Sequence, residues 1–398
     1  MNRKQTIVLL LLVLVIGGIG LAVYFQDRAA WKPGDTGAGR RFMAALDVNA
    51  VAQIHLKQGK AEVTLIKQDA GWTIKERGGF PADYAQVADF LLKVRDLKVA
   101  QTEAIAVAQR PRLDLADPGA DKGAGMLLEF KDKSGKPMQT LILGRKHFGP
   151  PPVPVPGQKG APDGRYLLTA PDATEYVLTT EPLNLAEPGA DKWLAKDFVR
   201  IDRVSSIAVT PPSAAGWTIS RKDESGEWQL AGAKPGEKLD FNKSLGAVNT
   251  LYSPAFVDVA VDPDAATLGL DKPATAEIET FDGLKYQLKF GRKAGDDAHY
   301  AFTFSVDGSI VGTRTPGKDE KPEEKKKLDD AFQKKLKELE ERFKREQALA
   351  KWTFIVERKP FDALLRERAE MLEQKKPGPD EKMGAKAGAK SGAKAAGK

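Results

Sequence analysis

A second copy of the chain's own pattern, offset by about 150 residues, limits the fold more than any other feature. Val51-Ala-Gln-Ile54-His-Leu56 falls on Val204-Ser-Ser-Ile207-Ala-Val209, and both alternate with the period of a strand that has one buried face. Upstream, Leu46 and Val48 fall on Val199 and Ile201 and extend the strand pattern in each copy. Residues 61–74 and 216–230 each read as two strands around a polar, glycine-containing hairpin turn, which pairs Trp72 with Trp228. A helix follows in both. Asp83 caps a run with Tyr84, Val87, Phe90, Leu91, Val94 and Leu97 on one face, and Asp240 caps Phe241, Leu245, Val248 and Leu251. Arg112-Leu113-Asp114-Leu115 then meets Thr267-Leu268-Gly269-Leu270, and hairpins at 125–145 and 276–292 both end in Gly-Arg. Tyr166 and Tyr300 open the next strand of each copy. The lag drifts from 153 to 134 along the chain, as insertions of unequal length require, and the proline-rich segment 149–164 is the largest of them.

Two shorter identities mislead. LADPGADK at 115–122 and LAEPGADK at 185–192 match in seven of eight positions, but their flanks do not match, so they are local Pro-Gly turn solutions and not a repeat unit. GWTI at 71 and again at 216 equates the third strand of one copy with the second strand of the other. The expected fold is α+β: an N-terminal transmembrane helix, then two related, mainly antiparallel β units with one main helix each, plus a charged helical insertion.

Residues 6–25 carry no charge over 20 positions, enough helix to span a bilayer core of about 30 Å. Ile7, Leu10, Val13, Ile16, Ile19, Val23 and Phe25 are the expected anchor residues of a single-pass segment behind a short cytoplasmic leader, 1–5. A cleavable signal peptide is the competing reading, with a shorter apolar region as its usual form. Basic residues flank both sides, so the charge rule does not fix orientation; so short a leader before the run favours a cytoplasmic start and an extracytoplasmic body. The expected location is the inner (cytoplasmic) membrane. A linker, 26–40, leads to a first unit, 41–195, and a second, 196–372; a Lys/Ala/Gly tail, 373–398, reads as disordered. Of the net charge of +7, residues 375–398 supply +5 and the rest of the chain +2, which disfavours nucleic acid as a partner. There are no cysteines, which excludes disulfides, thiolate chemistry and a lipidated cysteine.

The order of anchor, strand, tryptophan hairpin, Asp-capped helix, Leu268-Gly269-Leu270-Asp271-Lys272-Pro273 turn and Gly-Arg hairpin, given twice, resembles the domain-of-unknown-function 4340 family over most of 40–313 and 352–372. The resemblance implies a bacterial protein associated with ABC-transporter components, related to gliding-motility auxiliary proteins. It implies an accessory subunit, and it carries no catalytic residues to transfer. The chain departs from that pattern at 317–351, which interrupts the second unit before its last strand, 352–356. Leu328, Phe332, Leu336, Leu339 and Phe343 recur there at helical spacing, with Glu338/Arg342, Glu340/Lys344 and Glu341/Arg345 as i, i+4 pairs. This narrow seam fits an arm folded on its own domain, and it fits a partner-binding or self-associating coiled coil.

Sites of chemistry are sparse in the sequence. His55, His147 and His299 lie far from metal-ligand spacing of one another, and no HExxH, GxSxG, GxxxxGK[ST] or GxGxxG occurs. The paired tryptophans read as core residues, and the paired Gly-Arg as a shared turn with a structural arginine. The function expected is a non-catalytic, membrane-anchored accessory or scaffold subunit with no cofactor and no metal. Its partner would be an ABC permease or ATPase, or a gliding-auxiliary-like protein, with self-association through the inserted helix as a further possibility. An envelope ligand-binding module for a polysaccharide or cell-wall fragment is the alternative, followed by a carboxylate-dependent hydrolase, for which two acids converging without a nearby lysine or arginine would be the sign.

Overall fold

The computed structural model describes residues 38–151, 159–261, 264–314 and 321–373. The uncharged run 6–25, its anchor residues and the tail from 374 onward lie outside the described residues. Among those described, no helix is long and apolar enough to cross a membrane. The chain divides between Trp193 and Leu194 into two compact units.

In the first unit, β1 (Gln53–Gln58), β2 (Ala61–Gln68), β3 (Gly71–Ile74) and β4 (Phe80–Pro81) run as a meander to one edge. Helix α1 (Tyr84–Arg95) then carries the chain to β5 (Val99–Ala104) at the opposite edge. The strands β6 (Met126–Lys131), β7 (Pro137–Phe148), β8 (Pro162–Leu168) and β9 (Glu175–Thr179) fill the space between. The sheet order is β4-β3-β2-β1-β6-β7-β8-β9-β5, with every pair antiparallel.

The second unit repeats this path with β10 (Val204–Thr210), β11 (Trp217–Ser220), β12 (Gln229–Leu230), α2 (Phe241–Tyr252), β13 (Asp258–Ala260), β14 (Ala274–Thr280), β15 (Leu284–Gly291), β16 (His299–Gly308) and β17 (Thr353–Glu357). Its order, β12-β11-β10-β14-β15-β16-β17-β13, is the first order without the β4 addition. Period-two burial explains the strands: in β15, Leu284, Tyr286, Leu288 and Phe290 are buried while Lys285, Gln287 and Lys289 are exposed. The α+β architecture with two antiparallel sheets is therefore present.

Both main helices start on the expected aspartates. Asp83 accepts the Gln86 N–H at 3.0 Å, and Asp240 accepts those of Asn242 and Lys243 at 2.9 and 3.1 Å. Their faces correct the sequence reading. Tyr84 is exposed, and the buried face of α1 is Val87, Phe90, Leu91 and Val94, with Phe90 against Phe130 and Trp193. On α2 the buried positions are Ser244, Ala247 and Leu251, whereas Phe241 and Leu245 face outward. Ser244 and Ala247 are small, and α2 packs against the segment Arg358–Phe361, whose Phe361 ring is buried against Phe290 and Phe302.

Three further expectations change. Leu46, Val199 and Ile201 are buried, but they lie in turns and irregular backbone before β1 and β10; Leu46 closes a turn onto Met43, and the Ile201 N–H goes to Leu251 O at the end of α2. Trp72 and Trp228 do hold equivalent register positions, yet only Trp72 is buried. Trp228 is half-buried beneath the Arg221 guanidinium, 4.8 Å from its ring centroid, so it is a surface stack and not a core residue. The paired Gly-Arg is not a turn: Gly144 and Gly291 lie in β7 and β15, where the Leu113-Asp114-Leu115 and Leu268-Gly269-Leu270 backbones cross the strand.

Candidate functional site

The crossings recur in detail. Asp114 and Gly269 both adopt left-handed backbone, with φ of 53° and 68°. A Cβ at Gly144 would collide with Leu113 O, and one at Gly291 with Leu268 O. The arginines that follow lie over the expected tyrosines, Arg145 at 5.8 Å from the Tyr166 ring and Arg292 at 5.9 Å from that of Tyr300. This constellation is architecture held in duplicate. In the first unit, Arg165 is buried beside it and donates to Gly144 O at 2.9 Å and Leu183 O at 3.3 Å, fastening the loop that leads into the second octapeptide. Burial lowers its pKa to about 10.

The histidines are each held by an acid. His55 Nε2 lies 2.9 Å from Glu62, His147 Nδ1 2.6 Å from Asp163 and His299 Nδ1 3.0 Å from Asp296. Hydrogen bonding to His55 and Lys57 holds the Glu62 carboxyl below its usual range. Among the described residues, no group of three or more metal-ligating side chains occurs.

The densest charged arrangement belongs to the insertion. Helix α3 (Pro322–Leu349) contains no glycine and no β-branched residue, starts on Pro322, and places Glu323 and Glu324 at its positive end. Its last two turns are seated in the second unit. Glu346 and Leu349 are buried, and the Glu346 carboxylate accepts the Arg200 backbone N–H at 3.0 Å and the Tyr286 hydroxyl at 2.8 Å. Arg342 meets Asp202 at 2.9 Å. Burial raises the Glu346 carboxyl above the ordinary carboxylate range, and it also pushes the Tyr286 hydroxyl up. The Arg342 Nε–H is buried without an acceptor among the described residues, a local cost of about 1 to 3 kcal/mol.

Farther out, the seam loosens. Phe332, Leu336, Leu339 and Phe343 are half-buried, and Leu328 is 40% exposed. Beneath this stretch lies a cleft of about 890 Å³, walled by α3, by Phe198 and Arg200, and by Tyr252 at the end of α2. Seven basic residues and five acidic ones line it. Arg203 pairs with Glu224 and Asp282, and Arg200 stacks on Tyr252 at 4.4 Å while donating to its hydroxyl at 2.7 Å. Asp202 and Glu346 both act on Arg342, which pairs with Asp202, and the arrangement seats the helix.

The sequence singled out the five seam residues, and one helix carries them all. It gave no signal for Glu346, Arg200, Asp202 or Tyr286, because a charge network assembled from three separate segments has no periodicity. A family profile matches from Trp72 on β3 to Pro273 ahead of β14, and so spans parts of both copies. No curated protein and no solved structure matches the chain. With the match covering just over half of its length, residues 72–273, the chain belongs to the family described as Domain of unknown function (DUF4340).

Proposed function

We propose that this protein is a single-pass, membrane-anchored accessory subunit of an ABC-type transport or cell-envelope complex, and that it acts outside the cytoplasm by binding a partner protein without catalysis. The observation that carries the reading is α3: a 28-residue helix seated by its last two turns and tied by Asp329 to Arg314 nearer its start, whose apolar seam stays half-buried or exposed over its outer turns. An arm serving only its own unit would be expected to bury that seam along its length. The uncharged run at 6–25 supports an anchor. Strand addition at a sheet edge is a poorer route in the second unit, because its edge strands, β12 and β13, have two and three residues.

Photoreactive residues at the exposed Lys327 and Lys334 of the full-length protein, in its native membrane, test the assignment. The expected result is a crosslink to an ABC permease or ATPase, or to a gliding-auxiliary-like protein. Crosslinks spread over unrelated abundant proteins, or binding of a cell-wall glycan in place of protein, would contradict it.

A further inference from the structure

The duplication supplies its own control, since a feature present in one copy and absent from the other is not required by the fold. Aligned on their aspartate caps, α1 and α2 bury equivalent faces, but their outer faces differ. Helix α2 carries Phe241, Leu245, Val248 and Tyr252 at i, i+4, i+7 and i+11, one apolar stripe along about 16 Å of helix. Phe241, Leu245 and Tyr252 are 69%, 41% and 53% exposed. The equivalent positions of α1 are Tyr84, Ala88, Leu91 and Arg95; Leu91 is buried and Arg95 is paired with Asp96, so no stripe forms.

The second addition unique to the second unit is α3, and the two additions meet. Tyr252 ends the stripe and also lines the cleft beneath α3. On that cleft wall, Lys196, Lys335 and Arg345 are exposed and hold no carboxylate at ion-pair distance among the described residues. Seven cations against five acids leave the cleft with an excess of positive charge. An apolar stripe running into a cationic pocket is complementary to one kind of occupant.

We infer that α2 and the cleft form a single docking groove for an amphipathic helix of the partner protein, whose apolar face lies along Phe241, Leu245 and Val248 and whose acidic end enters the cleft beside Lys335 and Arg345. An antiparallel helix puts its N-terminal turn there, the end at which Asp and Glu are favoured by the helix dipole. This deepens the accessory-subunit assignment and rests on it.

The test uses the full chain in mild detergent and two labelled peptides with leucines at i, i+4, i+7 and i+11, one with three glutamates in its first turn and one with three lysines. The glutamate peptide is expected to bind at least tenfold more tightly than the lysine peptide. Leu245→Glu, at an exposed position, is expected to abolish binding. The double variant Lys335→Glu, Arg345→Glu is expected to reverse the preference, with circular dichroism confirming that each variant is folded. Equal affinity for the two peptides, no binding by either, or an unchanged Leu245→Glu variant overturns the groove. So does a Leu245-dependent dimer in sedimentation, which would assign the stripe to a second copy of the chain. If the α3 crosslinks to the partner persist in Leu245→Glu, the groove fails while the accessory assignment stands.

Discussion

Gly144 and Gly291 occupy equivalent places where a crossing Leu-x-Leu backbone passes a strand too closely for any side chain. Alanine at either position forces the crossing Leu-x-Leu segment outward, and the expected loss is about 1 to 3 kcal/mol in denaturant unfolding. Gly312→Ala, where a Cβ meets nothing within 4 Å, serves as the control and is expected to be neutral. Glu346 makes a second prediction at this scale. Burial raises its carboxyl pKa in the folded state, so the folded chain holds that proton more tightly than the unfolded chain. Its contribution to stability is therefore full below the ordinary carboxylate range and is lost as pH rises through the folded value. Glu346→Gln keeps acceptor and donor atoms in place, and the stability of the wild type relative to this variant is expected to fall as pH rises above that range. Paired urea titrations across pH 4 to 8 measure it, and a difference that is flat or grows in favour of the wild type contradicts the buried-carboxyl account.

At the scale of elements, the sequence revealed caps and strand periods and misjudged faces. Asp83 and Asp240 are recognisable because an N-cap is a local contact with the next turn. The outward turn of Phe241 and Leu245 is not recognisable, since it depends on what α2 packs against, the segments Arg358–Phe361 and Arg368–Met371, which lie far along the chain. Trp228 is the same kind of miss: its register is that of Trp72, but its environment is set by Arg221. Helix α3 combines both cases. Its spacing is legible, whereas the seating of Glu346 and Arg342 is not, and this changes how the arm is to be removed. Deleting 317–351 takes away Leu349 and Glu346, leaves the Tyr286 hydroxyl and the Arg200 backbone N–H without Glu346 and Asp202 without Arg342, and is expected to lower the thermal midpoint sharply. Removing the outer residues 323–328, ahead of the Asp329–Arg314 pair, is expected to leave the fold intact and to weaken partner capture alone. Similar melting of both deletions would contradict the seating described here.

Across the whole molecule, the repeated path is what the sequence records best. Matching at a lag of about 150 anticipates that β1 corresponds to β10, β6 to β14 and β7 to β15, and the strand orders agree. The octapeptides LADPGADK and LAEPGADK fall at unrelated points of that path, the first before β6 and the second entering the short helix at Ala190–Trp193. What distinguishes the copies is what the proposed role uses: α3, the cleft and the stripe of α2 all belong to the second unit. The most direct measurement is affinity purification of the tagged full-length protein from mild-detergent membranes after crosslinking in living cells, with mass spectrometry of the proteins recovered. The account predicts an ABC permease and its ATPase, or a gliding-auxiliary-like protein, at near-stoichiometric yield, and a loss of that partner when the outer turns of α3 are removed. Recovery of the protein by itself, with crosslinking verified on a known membrane complex in the same cells, would contradict it.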